Sequence, residues 1–393
     1  MLAALGMLGA FGPLSMDMYL PSVPDLTRDL QTTDSLGQLT MSACMIGLSL
    51  GQLFIGPLSD RIGRRIPLLI GIAAFAIASA LCAVAPSITM LLVFRLIQGV
   101  GGSAGLVLSM AVVRDLYEGK EAARIFSRLM LITGSAPVLA PILGGALLLF
   151  TSWRGVFVVL AAIGVLLFLA AWLAIPDTLA AEHRHSGAII GQARDFGRIF
   201  RNGVFMSYAL AGGLSGCALF VYISMSSFVL QNGYGVSAQA FSVIFAANAV
   251  GMVVTGQFNP LLLKRLSLRT ILFSALAVSG VASLLCTISA VLGLGLLLLL
   301  APLFFALCAQ GLQNPNTSAL ALAPFARNAG AASAVMGTLP FLIGATVPPL
   351  VSLGGATAPI MAATMTMSIA AAIGVLLLAG RRRPITAALK ASP

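Results

Sequence analysis

Twelve apolar stretches of about 20 residues follow one another along the chain, each long enough at about 1.5 Å per residue to cross a hydrocarbon core of roughly 30 Å. They lie near residues 2–21, 36–56, 67–85, 88–113, 125–150, 156–175, 204–230, 241–263, 270–290, 293–313, 331–353 and 359–380. In lipid a backbone must pair its own N–H and C=O groups, so such stretches fold as helices. The reading is an all-α polytopic membrane protein. Composition agrees: 59% of the 393 residues are hydrophobic and 8% charged, too few charges to cover a soluble fold of this size. The first stretch has no basic leader and runs through Asp17 and two prolines rather than into a small-residue cleavage site, so it is expected to be kept.

The net charge of +11 would suit a nucleic-acid partner on a soluble protein, but the aromatic and polar interleaving of a binding groove is missing, and no nucleic acid is expected. The basic residues instead report topology. Nineteen of the 22 fall on one side: Arg61, Arg64 and Arg65; Arg114, Lys120, Arg124 and Arg128; Arg184, Arg194, Arg198 and Arg201; Lys264, Arg265 and Arg269; Arg327; and Arg381, Arg382, Arg383 and Lys390. Arg28 and Arg154 lie opposite, and Arg95 lies within a span. Both termini are therefore expected in the cytoplasm. Cys44, Cys82, Cys217, Cys286 and Cys308 all fall in spans, where an odd number of small, weakly polar side chains reads as packing, with no disulfide, metal or redox cofactor.

Residues 177–202 form the longest polar interruption and separate a six-span bundle at 1–176 from a second at 203–380, with a basic tail at 381–393. Within this linker, Ile190, Phe196, Ile199 and Phe200 alternate with Arg194, Arg198 and Arg201, as in an amphipathic helix on the cytoplasmic membrane face. The bland reading is a basic linker that only obeys the positive-inside rule. The bundles echo one another. Gly51, Gly56, Arg64 and Arg65 recur as Gly251, Gly256, Lys264 and Arg265, and Gln98–Gly99 recurs as Gln310–Gly311. Duplicated halves rocking about a midplane cavity are the architecture that such repeats favour.

Two ionisable residues lie well inside spans, Asp17 in the first and Arg95 in the fourth. Such residues are costly in a membrane and are functional candidates for that reason. Both sit in the outer half, where opposite charges at matched depth could neutralise one another directly or through water across a shared cavity. Asp17 is the candidate proton site, and a static structural ion pair is the competing reading. Between spans 2 and 3, Gly56, Asp60, Arg61, Gly63, Arg64 and Arg65 offer tight turning and a charge network on the cytoplasmic side. Asp115 is the expected partner of Arg61 or Arg65, and the start of span 11 near 329–331 that of Asp60.

The segment 56–65 resembles the loop 2–3 signature of the major facilitator superfamily, and Arg95-Leu96-Ile97-Gln98-Gly99 resembles the span 4 motif of its proton-driven exporters. Span 5, with Pro137, Pro141, Gly144 and Gly145, is similar to the antiporter motif, although Ala140 replaces the glycine usual before the second proline. Asp17-Met18-Tyr19-Leu20-Pro21-Ser22-Val23-Pro24 resembles the first span of the bicyclomycin and chloramphenicol resistance (Bcr/CflA) branch of drug/proton antiporters. The resemblance implies twelve helices in two pseudo-symmetric bundles of six, alternating access, and protons entering as drug leaves. By it, Asp17 is the proton or cation site, Arg95 the residue coupling its protonation to substrate, Asp60 and Arg61 the cytoplasmic gate, and Pro137–Gly145 a bend that limits leak.

For the drug cavity, Tyr19, Phe220, Tyr222, Asn248, Phe304, Gln310 and Asn314 supply aromatic and amide side chains suited to wide, mainly apolar recognition. The expected partners are a small drug, protons and the lipid bilayer, with the chain acting as a monomer in the inner membrane. A proton-coupled exporter of a natural metabolite, such as an amino acid or dipeptide, is the alternative, and an intramembrane enzyme or channel a distant third. No enzyme is expected: Gly101-Gly102-Ser103-Ala104-Gly105 imitates a nucleophile elbow, but it follows no strand, and the two histidines, His183 and His185, lie in the linker.

Overall fold

The computed structural model describes residues 2–117, 119–179, 197, 199–325 and 329–382. Among them the regular structure is helical, with no strand. Among the described residues, eleven helices are long and apolar enough to cross a membrane: spans 2 to 6 are Asp34–Ile62, Arg65–Ala83, Ile88–Leu116, Gly119–Leu147 and Trp153–Ala174. Span 7, Gly203–Ser227, runs on into a π-helical turn, Phe228–Gly233. Spans 8 and 9 are Ala238–Gln257 and Leu268–Val291. Span 10 is Leu296–Cys308 continued by Gln310–Leu322, and spans 11 and 12 are Ala329–Val351 and Ala358–Arg382.

The first span is the twelfth of the set, broken into Leu2–Gly9, Phe11–Asp17, the 3₁₀ turn Leu20–Ser22 and Val23–Asp29. Proline explains the outer break. Neither Pro21 nor Pro24 has an N–H, so the carbonyls of Asp17 and Leu20 lose their donors four residues on. Span 10 extends well past its expected end at 313, which carries Asn314 into its inner helical turns. The amphipathic helix expected at 190–201 and the basic tail lie mostly outside the described residues, which omit 180–196, 198 and 383–393.

The chain forms two compact units that interleave in sequence: Met1–Ser186 with Ile223–Val250 and Pro348–Thr357, and Gly187–Tyr222 with Gly251–Val347 and Ala358–Pro393. In the first, spans 2 and 4 cross closely because neither carries a side chain at the contact. A Cβ on Gly99 would overlap the Cys44 carbonyl oxygen, and one on Gly47 the Leu96 carbonyl oxygen. In the second unit the repeated glycine has the same use, with Gly311 seated on the backbone from Met252 to Gly256. Since backbone cannot move aside as a side chain can, Gly99→Val is expected to destabilise the protein by about 1–3 kcal/mol. A lowered thermal midpoint of the purified variant in detergent would register it.

At the C-terminal end of the broken first span, Asp29 accepts a hydrogen bond from Arg154 and another from Trp153 Nε1 at 2.9 Å. Arg154 also stacks on the Trp153 ring, 4.2 Å from its centroid. This staple fixes the last piece of the broken first span against the start of span 6.

Candidate functional site

Asp17 ends the helical piece Phe11–Asp17, just before the chain breaks. It is 6% exposed, and its carboxylate has no hydrogen bond or ion pair among the described residues. Span 5 presses on the same turn: a Cβ on Gly144 would overlap the Met18 carbonyl oxygen, and one on Gly145 would overlap Ser242 Oγ of span 8. The glycines of the antiporter-like motif thus seat span 5 between spans 1 and 8. Pro137 and Pro141 lie inside a continuous helix.

Arg95 is fully buried, two turns into span 4 after its Ser87 cap. Its Nη1 donates to the Ser15 carbonyl at 2.8 Å and to Gln98 Oε1 at 2.6 Å, and its Nε to the Thr40 carbonyl at 3.2 Å. The guanidinium lies over Tyr19, 4.3 Å from the ring centroid, and 5.6 Å from that of Phe157. Gln98 passes the contact on to Ser79 Oγ at 2.7 Å, while Tyr19 Oη meets Thr40 Oγ1 at 3.1 Å. Arg95 therefore ties spans 1, 2, 3, 4 and 6 together through neutral acceptors and aromatic faces.

The direct Asp17–Arg95 pair is not made, and helical geometry gives the reason. Ser15 and Tyr19 are one turn apart on a common face, and both meet Arg95. Asp17, two residues from either, projects about 200° around the axis. The carboxyl is left unneutralised on the other face of the helix that the guanidinium grips.

Above Asp17 the broken span is latched to span 7. Ser227 Oγ donates to the Leu20 carbonyl at 2.7 Å, and Gln231 Nε2 donates to the Pro21 carbonyl at 2.9 Å and to Ser227 Oγ at 2.8 Å. One helical turn earlier, Ser224 Oγ donates to Gln38 Oε1 at 3.3 Å. Pro24 has no N–H to offer the Leu20 carbonyl, which takes one hydrogen bond from the Val23 N–H and its second from Ser227, and the π-helical turn after Ser227 accompanies the reach of Gln231. With about 1 kcal/mol per hydrogen bond, Gln231→Leu combined with Ser227→Ala is expected to raise labelling of a Ser224→Cys reporter from outside about tenfold or more. The rate of reaction with a membrane-impermeant maleimide is the readout.

Between spans 2 and 3 Arg64 is the hub. It is 4% exposed, and Gly63, at φ 96°, makes the turn that places it. Its Nε donates to Asp115 Oδ2 at 2.9 Å, its Nη1 to Asp60 and to Ser59 Oγ at 2.7 Å, and its backbone N–H to Asp177 Oδ1 at 2.9 Å. Burial alone would lower the guanidinium pKa, but the hydrogen bonds to Asp115 and Asp60 outweigh it and leave the pKa raised. Asp115 thus pairs with Arg64 where Arg61 or Arg65 was expected, because Arg65 turns away to donate to the Trp172 carbonyl at 2.8 Å. A Cβ on Gly56 would stand 3.8 Å from Val107, an ordinary contact, so no close approach requires this glycine.

The cavity candidates separate by exposure. Tyr19 and Tyr222 are buried, as are Asn248 and Gln310. Tyr19 is committed to Arg95, and Gln310 Nε2 donates to the Ser215 carbonyl at 2.8 Å. Phe220 and Phe304 are half-buried and Asn314 is exposed; Phe220 packs 5.5 Å from Phe341. Sequence reasoning passed over Gln313, whose Nε2 donates to the Ala275 carbonyl at 3.2 Å and whose Oε1 accepts from Ser215. It also passed over Ser227 and Gln231. A polar pair spaced by four in the last turns of an apolar span was the available signal.

A bundle of long apolar helices with a broken first span and an isolated buried carboxyl is that of a polytopic membrane protein. The model of the Major Facilitator Superfamily matches residues 5–349. The chain is 41% identical over 378 residues to YdgK of Bacillus subtilis, described as an uncharacterized MFS-type transporter, covering 95% of this chain and 92% of that one. It is 29% identical over 348 residues to the bicyclomycin resistance protein homolog of Haemophilus influenzae, covering 88% and 87%. The nucleoside transporter NupG shares the fold, with a TM-score of 0.75 at 16% identity over 95% of this chain and 98% of that chain. The chain belongs to the Major Facilitator Superfamily, as the motifs at 56–65 and 95–99 implied.

Proposed function

We propose that this protein exports small, largely apolar drugs across the inner membrane in exchange for protons, as a monomer with both termini in the cytoplasm. The observation that carries the reading is the Asp17 carboxyl, buried beside a break in its helix and bonded to nothing among the described residues. A carboxylate so placed is free to take up a proton or to face cargo, and binding of one lowers affinity for the other by linkage. Arg95 grips the backbone two residues earlier, so in this reading it couples to Asp17 by moving the first span as a body. The relative named for bicyclomycin resistance supports a drug as cargo.

In this mechanism the bundles at 1–176 and 203–380 alternate about Asp17. Ser227 and Gln231 close the outer side; Gly56, Asp60, Arg61, Gly63, Arg64, Arg65 and Asp115 serve the inner gate; and Pro137, Pro141, Gly144 and Gly145 hold span 5 tight against leak. Tyr19, Phe220, Tyr222, Asn248, Phe304, Gln310 and Asn314 line or support the drug path. Everted membrane vesicles energised acid-inside should accumulate chloramphenicol or bicyclomycin several-fold over vesicles lacking the protein, and dissipating the pH gradient should release it. Uptake of an amino acid or dipeptide but of neither drug would instead identify a metabolite exporter.

A further inference from the structure

Charge is divided between the two halves of the chain with unusual inequality. All 11 acidic residues lie between Asp17 and Asp195, together with 12 of the 22 basic ones, whereas residues 196–393 hold the other 10 basic residues and no carboxylate side chain. The first part balances to +1 and the second carries +10. The structure shows what each does with its cations. Arg64 is buried among Asp60, Asp115 and Asp177, and every ion pair among the described residues belongs to the first unit. Arg269, in the second, finds a neutral partner, donating from Nε to Tyr208 Oη at 3.0 Å.

Lys264 and Arg265 are exposed on a short connection that is held in place. It follows the helical turn Asn259–Leu262 and ends at Ser267, whose side chain caps span 9 by accepting from the Thr270 N–H at 3.1 Å. Beside the two cations Phe258, Leu261 and Leu266 are exposed as well, at 53%, 55% and 42%. Apolar side chains interleaved with cations at the end of a span suit the boundary between acyl chains and headgroups.

We propose that the inner surface of the second half, centred on Lys264 and Arg265, is a docking surface for anionic phospholipid headgroups. Lipid phosphate supplies the counter-charge that this half of the chain lacks, while the neighbouring apolar side chains select a lipid over a soluble anion. The first half, whose cations are nearly equalled in number by its own carboxylates, has no such need. Lipid dependence therefore resides in one half of the transporter and is independent of what the cavity carries.

The test uses the full-length protein in detergent, titrated with phosphatidylglycerol or phosphatidylethanolamine and read by the lipid retained in native mass spectra. Wild type is expected to retain phosphatidylglycerol about tenfold better, and Lys264→Ser with Arg265→Ser to bring the two lipids close to parity. Arg28→Ser, which removes an exposed cation on the opposite side, should leave the preference intact. Because removing inner cations can disturb insertion, the wild type is also measured at rising salt, where the preference should fade. Equal retention of the two lipids by wild type, or an unchanged preference in the double variant, overturns the proposal. Displacement of phosphatidylglycerol by inorganic phosphate at millimolar concentration also overturns it, in favour of a small-anion site.

Discussion

Asp17→Asn should abolish gradient-driven drug accumulation, by about a hundredfold or more, and leave the protein folded. The two side chains are nearly the same size, and the carboxylate has no hydrogen bond or ion pair among the described residues for the amide to lose, so the thermal midpoint should move little. The proton is what disappears. An amide cannot exchange one in the physiological range, and a carrier that binds cargo but returns without a proton can only equilibrate. Vesicle uptake with and without a pH gradient separates these outcomes: the variant should lose concentrative uptake and retain counterflow of drug between equal pools. Full concentrative uptake by the variant would move the proton site elsewhere.

Arg95 should be the most damaging position to truncate. Arg95→Ala would strip donors from the Ser15 and Thr40 carbonyls and from Gln98 Oε1 at the centre of five spans. A buried acceptor left unpaired costs about 1–3 kcal/mol, and a cavity under Tyr19 adds to it, so little folded protein is expected. Arg95→Lys keeps the charge and is the informative variant. An ammonium lacks the flat fork that reaches Ser15, Thr40 and Gln98 together and lies along the Tyr19 ring. It should fold with a lowered thermal midpoint and transport at least about tenfold more slowly. Wild-type transport by Arg95→Lys would show that a charge suffices and that the bridge between spans is dispensable.

The architecture was legible because bilayer thickness imposes a length on every span. The broken first span was also legible, since Pro21 and Pro24 remove donors wherever they sit. The relation of Asp17 to Arg95 was not. Depth along a helix can be counted from its ends, but facing depends on rotation, and the 200° between Ser15 and Asp17 decided which group meets the guanidinium. At the inner loop, three arginines within five residues were indistinguishable by composition; the turn at Gly63 chose Arg64 for Asp115. The latch was hidden for another reason. Ser227 and Gln231 are ordinary span-end residues until the π-helical turn and the proline-freed carbonyls are seen together.

Proton release on drug binding addresses the central claim most directly. Purified protein in weakly buffered detergent near neutral pH, mixed with chloramphenicol or bicyclomycin, should release a proton for each molecule bound, and Asp17→Asn should bind the drug while releasing none. Binding without release by the wild type, or undiminished release by Asp17→Asn, would contradict the exchange of proton for cargo at this carboxyl.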